Sequence, residues 1–369
     1  MNINCSKNLL TENINIVSKA VSNKSTMQIL ECILLSADEN GFLMTSNDTE
    51  MGIKTEYLKA EVINKGSVAL EAKFLSEIVR KMPDGDININ VDSNNVTVFR
   101  NNMAELKILG YSGEDFPQMP DFVKTDGFMI PSSSFRDMIR QTSFSIAQDS
   151  GKPALTGGLI EIKDGYLNMV TVDGFRISYR RGNITGPPVN IKAIVPGRTL
   201  NEISKILTSE HDDLVIFFTD NHVLFEQKQF ILLSRLIEGD FFRYEQSFSG
   251  NFAINVTADR EELCLSIERS MLIARDLIKN PVDLKIEKNR MIISSNTETG
   301  TIYDEIEIEL EGEGLNISFN PKYLSDVLRA IDDDKINLRF NTHLSPCVIS
   351  DTENRSDYKY LVLPLRSFS

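Results

Sequence analysis

The residues able to do covalent or metal chemistry are few and scattered. His211, His222 and His343 stand in different parts of the 369-residue chain, and Cys5, Cys32, Cys264 and Cys347 show no C-x-x-C spacing. A zinc site needs clustered Cys or His ligands, so no metal and no cofactor is expected. No G-x-x-x-x-G-K-[ST], G-x-S-x-G, H-E-x-x-H or G-x-G-x-x-G occurs. The acidic clusters Asp332-Asp333-Asp334 and Asp304-Glu305 read as solvated turns and strand faces, not as acid–base pairs. An enzyme is the weaker reading. What remains is the chemistry of charge and of apolar recognition.

Net charge is -14, which by itself argues against an open nucleic-acid surface, since such binding needs a basic footprint. The charge is unevenly placed. Six stretches with helical periodicity, 6–20, 72–82, 132–142, 197–207, 257–275 and 320–330, carry +5 between them, leaving -19 on the rest. A basic helical layer over an acidic sheet layer suits a protein whose helices face phosphates and whose sheets face water. A lone helix with a solvated mixed-charge face needs no such explanation, but five of these six stretches are net positive.

These helices belong to a pattern of about 120 residues that occurs three times. Each copy opens with an amphipathic stretch after a Ser or Thr, at Ser6, Ser132 and Thr257. A strand–turn–strand follows, with turns at Asn40-Gly41, Asp164-Gly165 and Lys288-Asn289. A second amphipathic stretch is marked by Leu75, Leu200 and Leu324, offset by 125 and 124, while Gly41, Gly165 and Asn289 are offset by 124 and 124. Copies of this size own a core each and are domains, not solenoid units. Boundaries are expected near 122 and 249, giving domains 1–122, 123–249 and 250–369. Two helices with seven or eight strands per copy imply an α+β fold, an antiparallel sheet layer with both helices on one face. No apolar run approaches the roughly 18 residues of a membrane helix, and the amino terminus lacks the order of a signal peptide. A cytoplasmic protein is expected. An adhesive β-rich repeat protein is the other rival, and the basic helical layer weighs against it.

The threefold repeat, Asn-Lys-Ser-Thr-Met-Gln-Ile-Leu at 23–30, Thr171-Val172-Asp173-Gly174-Phe175-Arg176 and the terminal Leu363-Pro364-Leu365-Arg366 together resemble the bacterial DNA sliding clamp family, the beta subunits of DNA polymerase III. The resemblance covers the whole chain in order. It implies the DNA clamp fold, with two copies joined head to tail as a ring homodimer around duplex DNA, held by topology and without sequence readout. It also implies that replicative polymerase, clamp loader and repair proteins bind through short peptides with apolar anchors.

By position, the resemblance makes Lys24, Lys73, Arg80, Lys81, Arg136, Arg140, Arg198, Lys205, Lys322 and Arg329, with Gln148 and Lys152 on a loop, the candidates for facing DNA. It places Leu106 and Ile108 opposite Leu272 and Ile273 at the subunit joint. The peptide pocket is implied at Leu155, Thr171, Gly174, Phe175, Arg176, Ile177, Phe241, Phe242, Tyr244, Pro346, Leu363, Pro364, Leu365 and Arg366, with Asn320 and Tyr323. Three positions depart from the family: Phe242 where Pro is usual, Gln246 where a basic residue is common, and Gln28 where Pro is usual. Phe242 bears on the pocket's shape and hence on which peptide motif it prefers.

Overall fold

A computed structural model describes residues 1–22, 25–149, 151–208, 212–273, 280–353, 355 and 357–365. The first repeat supplies β1 (Asn2–Ser6), α1 (Lys7–Val17), β2 (Cys32–Ala37), β3 (Phe42–Asn47), β4 (Met51–Thr55), β5 (Glu61–Asn64), β6 (Gly66–Glu71), α2 (Ala72–Lys81), β7 (Asp86–Val91), β8 (Val96–Asn101), β9 (Ala104–Leu109) and β10 (Tyr111–Ser112). The second supplies β11 (Phe128–Pro131), α3 (Ser132–Thr142), β12 (Gly157–Lys163), β13 (Tyr166–Val172), β14 (Arg176–Asn183), β15 (Ile191–Pro196), α4 (Gly197–Ile206), β16 (Asp213–Phe218), β17 (His222–Gln227) and β18 (Phe230–Arg235). The third supplies β19 (Ile254–Asp259), α5 (Arg260–Met271), β20 (Val282–Glu287), β21 (Arg290–Thr297), β22 (Gly300–Glu311), β23 (Leu315–Phe319), α6 (Pro321–Ala330), β24 (Lys335–Phe340), β25 (Cys347–Asp351) and β26 (Tyr358–Val362).

All six helical stretches form helices, each close to its expected span. Two expectations need correction. The third copy's helix is capped by Asp259, whose side chain accepts from Glu262 N–H at 2.9 Å, while Thr257 lies inside β19. An aspartate satisfies the orphan N–H and also suits the positive end of the helix. The first repeat has ten strands, not seven or eight. Its β4 and β5 are separate strands where the third repeat has the single twelve-residue β22, and β10 adds a two-residue pair.

Contacts divide the chain into two compact units, residues 1–132 with 205–236, and 133–204 with 237–369. Every strand pairing is antiparallel. In the first unit one sheet runs β5-β1-β7-β8-β9 and another runs β10-β6-β2-β3-β4-β18-β17-β16-β11. In the second unit a twelve-stranded sheet runs β15-β12-β13-β14-β26-β25-β24-β19-β22-β21-β20-β23.

Helix pairs cover these sheets. In the first unit α1 packs on α2 and on β3 and β4; in the second α5 packs on α6, β19, β21 and β22. That cover explains why β3 is buried at every position instead of alternating. The hairpin between β12 and β13 turns on Asp164 and Gly165, both left-handed at φ 53° and 80°, the conformation that matches the twist of a two-residue hairpin. Leu232, in β18, is fully buried opposite Ile53 of β4. Leu232→Ala is expected to cost about 2–5 kcal/mol, read as a lowered urea midpoint with an unchanged slope.

Candidate functional site

A cavity of about 530 Å³ opens on the second unit, within the size range of small-ligand and peptide-anchor sites. Its floor is sheet: Val172 at the end of β13, Arg176 and Ile177 at the start of β14, and Leu361 of β26. Its walls are Lys152, Ala154 and Leu155 before β12, Asp240, Phe241, Phe242 and Ser247 from the segment after β18, Pro346 before β25, and Leu363 after β26. Two aromatic rings stand at the mouth, Phe175 at 55% and Phe242 at 48% exposed. Phe175 stacks on Tyr323 of α6 with ring centroids 5.9 Å apart.

The turn between β13 and β14 holds this shape. One Asp173 oxygen accepts the N–H groups of Phe175 and Arg176 at 2.9 and 3.1 Å, while Gly174 takes φ +94°. A side chain at Gly174 would meet no neighbour, so backbone conformation is what calls for glycine there. Leu363 N–H donates to the Phe175 carbonyl at 2.9 Å, tying the chain end to the same turn. Leu365 N–H donates to Ser318 O at 2.8 Å.

Arg176 anchors the floor. It is 7% exposed, and its Nε and Nη1 donate to Asp173 at 2.8 Å and to Asp326 of α6 at 2.7 Å, while Nη2 donates to Phe144 O at 2.5 Å. Its guanidinium also lies 4.5 Å from the Tyr323 ring centroid and 5.2 Å from that of Phe144. A planar fork with two carboxylates, a carbonyl and two rings is a role lysine could not fill. Beside the pocket, in the same apolar cluster as Val172, Ile177 and Leu361, Tyr244 is buried and donates to Glu161 Oε2 at 2.7 Å; Lys192 pairs with Glu161 Oε1 at 2.7 Å. Burial opposes ionisation of Glu161, but hydrogen bonds from Lys192 and Tyr244 outweigh it and hold the carboxyl below its ordinary value.

Of the anticipated pocket residues, Leu155, Gly174, Phe175, Arg176, Ile177, Phe241, Phe242, Pro346 and Leu363 line one cavity. Thr171 lies on the opposite face of β13, fully buried, its hydroxyl donating to Thr142 O at 2.6 Å. Tyr244 does not line the cavity but faces a neighbouring one, Asn320 caps α6, and Tyr323 reaches the rim through Phe175. Pro364 and Leu365 follow Leu363 without lining the cavity, and Arg366 lies outside the described residues. Val172, Leu361 and Asp326 were not anticipated. Strand alternation was the available signal for the first two, since Val172 faces the cavity because Thr171 does not.

The anticipated DNA-facing cations are mostly on helices. Lys73, Arg80 and Lys81 are exposed on α2 and form no ion pair among the described residues. Arg140 of α3 pairs with Asp137 and with Asp332 at 2.7 Å; Lys322 and Arg329 of α6 pair with Asp326 and Glu268. Arg136 lies on α3, Arg198 and Lys205 on α4, and Gln148 and Lys152 follow α3 as exposed residues. Lys24 lies outside the described residues. Leu106 and Ile108 lie on β9, an edge strand of the five-stranded sheet, and Leu272 is 84% exposed beside Ile273 just after α5.

All four cysteines are buried, and burial pushes their thiols up, Cys5 to about 12 and Cys32 and Cys264 to about 11. Among the described residues no group of three or more His, Cys, Asp or Glu could hold a metal ion, and no helix is long and apolar enough to cross a membrane.

Models of the N-terminal, central and C-terminal domains of the DNA polymerase III beta subunit match residues 1–120, 129–242 and 246–366. The beta sliding clamp of Bacillus subtilis is 30% identical over 100% of both chains, and that of Halalkalibacterium halodurans is 30% identical over 98% of each. Among solved structures, a putative DNA polymerase III beta subunit from Eubacterium rectale is 38% identical with a TM-score of 0.95 over 99% of each chain. The Bacillus subtilis DNA polymerase sliding clamp superposes with a TM-score of 0.96 at 30% identity over 100% of each. Fold and repeat order therefore define a three-domain clamp of the α+β class. The chain belongs to the DNA polymerase III beta subunit family.

Two predictions follow from the pocket's supports. Arg176→Gln leaves the poorly solvated Asp173 without its cation and Asp326 with Lys322 alone, and is expected to cost about 3 kcal/mol, measured by chemical denaturation. Glu161 has a depressed folded pKa, so its stabilisation is present above the ordinary carboxylate value of about 4.3 and is lost as pH falls through the folded one. Glu161→Gln should therefore flatten part of the fall in stability between about pH 5 and 3.

Proposed function

We propose that this chain is a DNA polymerase processivity factor: two copies join head to tail into a ring that encircles duplex DNA and tethers polymerase, clamp loader and repair proteins by their peptides. In this reading it catalyses nothing itself, works in the cytoplasm, and is built from domains 1–122, 123–249 and 250–369. The peptides enter the cavity at Phe175, Phe242, Ile177 and Leu361.

The observation that carries the reading is a strand join made twice. In the first unit β18 pairs with β4, Phe230 opposite Thr55 and Ser234 opposite Met51. In the second unit β26 pairs with β14, Val362 opposite Arg176 and Tyr358 opposite Arg180. Each time the last strand of one repeat pairs with the strand after the central hairpin of the repeat before it. Among the described residues, one strand in each of these two positions is left over. β9 has β8 on one side only, and β22 from Gly300 to Glu307 has β21 on one side only, β19 joining it from Ile308 onward. An exposed strand edge invites pairing, and an end-to-end contact of unlike surfaces closes into a ring or grows a fibre.

Carrying the register of both existing joins over to β9 and β22 sets Ile108 opposite Gly300 and Leu106 opposite Ile302 of a second copy. Side-chain packing transposes equally. Ser132 and Arg260 start equivalent helices, their N–H groups donating to Asp212 O and Asp334 O. By that equivalence Phe144, which stacks on Tyr360 at 6.0 Å, corresponds to Leu272, and Tyr360 corresponds to Leu106. The exposed Leu272 and Leu106 thus acquire each other as neighbours in the dimer.

In a ring, a weakly attractive lining is enough, and tight phosphate contacts would hinder sliding. Lys73, Arg80 and Lys81 are the cations left to supply it on α2, and an acidic remainder keeps the outer surface off other nucleic acid.

The joint is testable by oxidation, because the native thiols are buried. A Leu106→Cys, Ile302→Cys double variant should form a covalent dimer, and either single variant should not; a double variant that stays uncrosslinked would remove this register. Leu272→Glu with Ile273→Glu should give folded monomers by light scattering. Loaded on nicked circular DNA, the wild type should be retained until the DNA is linearised. Alanine at Lys73, Arg80 and Lys81 should lower the log–log salt slope of DNA association by about one per cation that faces a phosphate.

A further inference from the structure

A second cavity, of about 860 Å³, lies on the same sheet face as the peptide pocket. The two are neighbours strand by strand. Ile177 and Leu361, under the peptide pocket, are register partners; the next pair on that face, Tyr179 and Lys359, lines the second cavity, and Arg181 follows. At about 3.3 Å per residue, Lys359 is about 7 Å from Leu361 along β26, and Arg181 about 13 Å from Ile177 along β14. The segment after β18 divides the two spaces, with Phe241 and Phe242 facing one and Tyr244 and Phe248 facing the other.

The second cavity holds cations that have no ion-pair partner among the described residues. Its acids Glu161 and Glu245 are taken by Lys192, at 2.7 and 3.8 Å, and Asp164 stands on the exposed hairpin turn beside Lys163. Arg181 and Lys359 form no ion pair among the described residues. The Arg181 guanidinium is instead held in place: Nε donates to Asn168 and to the Tyr179 hydroxyl at 3.2 and 3.0 Å, and the group stacks 4.7 Å from the Tyr166 ring centroid. Among the described residues no hydrogen bond uses its terminal nitrogens. Lys359 is half-buried, and burial followed by the guanidiniums of Arg339 and Arg181 pushes its ammonium below the ordinary value, with Asp351 opposing. In a chain of net charge -14, two unpaired cations fixed at the edge of a cavity form an anion site in waiting.

We propose that Arg181 and Lys359 form a carboxylate-binding subsite that reads an acidic residue about two to four positions from the apolar anchors of a peptide held in the neighbouring pocket. An extended peptide covers that distance, about 7–13 Å, in two to four residues. A guanidinium with free terminal nitrogens suits a carboxylate's two oxygens. The proposal rests on the peptide pocket of the preceding section and adds to it a second determinant of partner choice.

The test is selection of displayed random dodecapeptides on the full-length protein, followed by fluorescence anisotropy on the selected peptides. Wild type should enrich Asp or Glu at that spacing from paired apolar residues. Replacing the selected acid by its amide should weaken binding about fivefold, a difference that shrinks as salt rises. Arg181→Gln and Lys359→Gln should each erase the acid–amide difference while leaving the affinity of the amide peptide unchanged, and Arg181→Lys should restore part of it. Anchored peptides selected without acidic enrichment, or an acid preference indifferent to both variants, would overturn the subsite and leave the pocket standing. Selected peptides insensitive to Phe175→Ala would overturn the pocket and the subsite together. Oligothymidylate binding that depends on Arg181, with no acid preference among peptides, would assign the cations to nucleic acid and overturn the proposal.

Discussion

A β-strand at the edge of a sheet carries a row of backbone donors and acceptors that must be met by water or by another strand. In this protein that requirement is met in one way repeatedly: β18 lies along β4, and β26 lies along β14. The repeats are thereby fused through main-chain hydrogen bonds, which do not depend on side-chain identity. Sequence can drift at such a seam without breaking it, provided strand length and register survive. The same rule leaves β9 and the first half of β22 as the two ends that remain open for an intermolecular version of the seam.

Side chains then give particular seams particular jobs. At the second one, Arg176 sits where β14 begins and gathers Asp173 from its own turn, Asp326 from α6 and the Phe144 carbonyl. The group that rigidifies the join is also the floor of the cavity. Removing Arg176 would leave the poorly solvated Asp173 unpaired, which is far costlier than the net value of the pair itself. Pocket shape and repeat-to-repeat cohesion are consequently one property at this position.

Much of this was legible beforehand, for reasons specific to the elements. The faces Leu75, Ile78, Val79 and Leu324, Val327, Leu328 recur at helical spacing, and those helices appear where the spacing puts them. Asp164-Gly165 specifies its hairpin through backbone conformation alone. Strands went unread for different reasons: β5 is largely exposed and β14 is broken by Arg180-Arg181-Gly182, whereas β19 alternates as Ile-Asn-Val-Thr-Ala-Asp but is hidden when Thr257 is read as a helix start. At the pocket, the turn at Asp173-Gly174 and the strand at Leu361–Leu363 came together as a set only through the family resemblance, and Thr171 against Val172 is a choice of strand face that one residue reverses. Long-range ion pairs were invisible. Arg329 with Glu268, and Arg140 with Asp332, join residues 61 and 192 apart, and nothing local in either sequence segment points to the other.

The cysteines carry a consequence for physiology. A thiol whose pKa is about 11 is ionised to roughly one part in ten thousand at neutral pH, and only the thiolate attacks peroxide or a disulfide at an appreciable rate. Sheltered as they also are from solvent, these four sulfurs leave oxidants little to react with. A cell under oxidative attack, when damaged templates most need copying and repair, would keep this component in working order without spending reductant on its rescue.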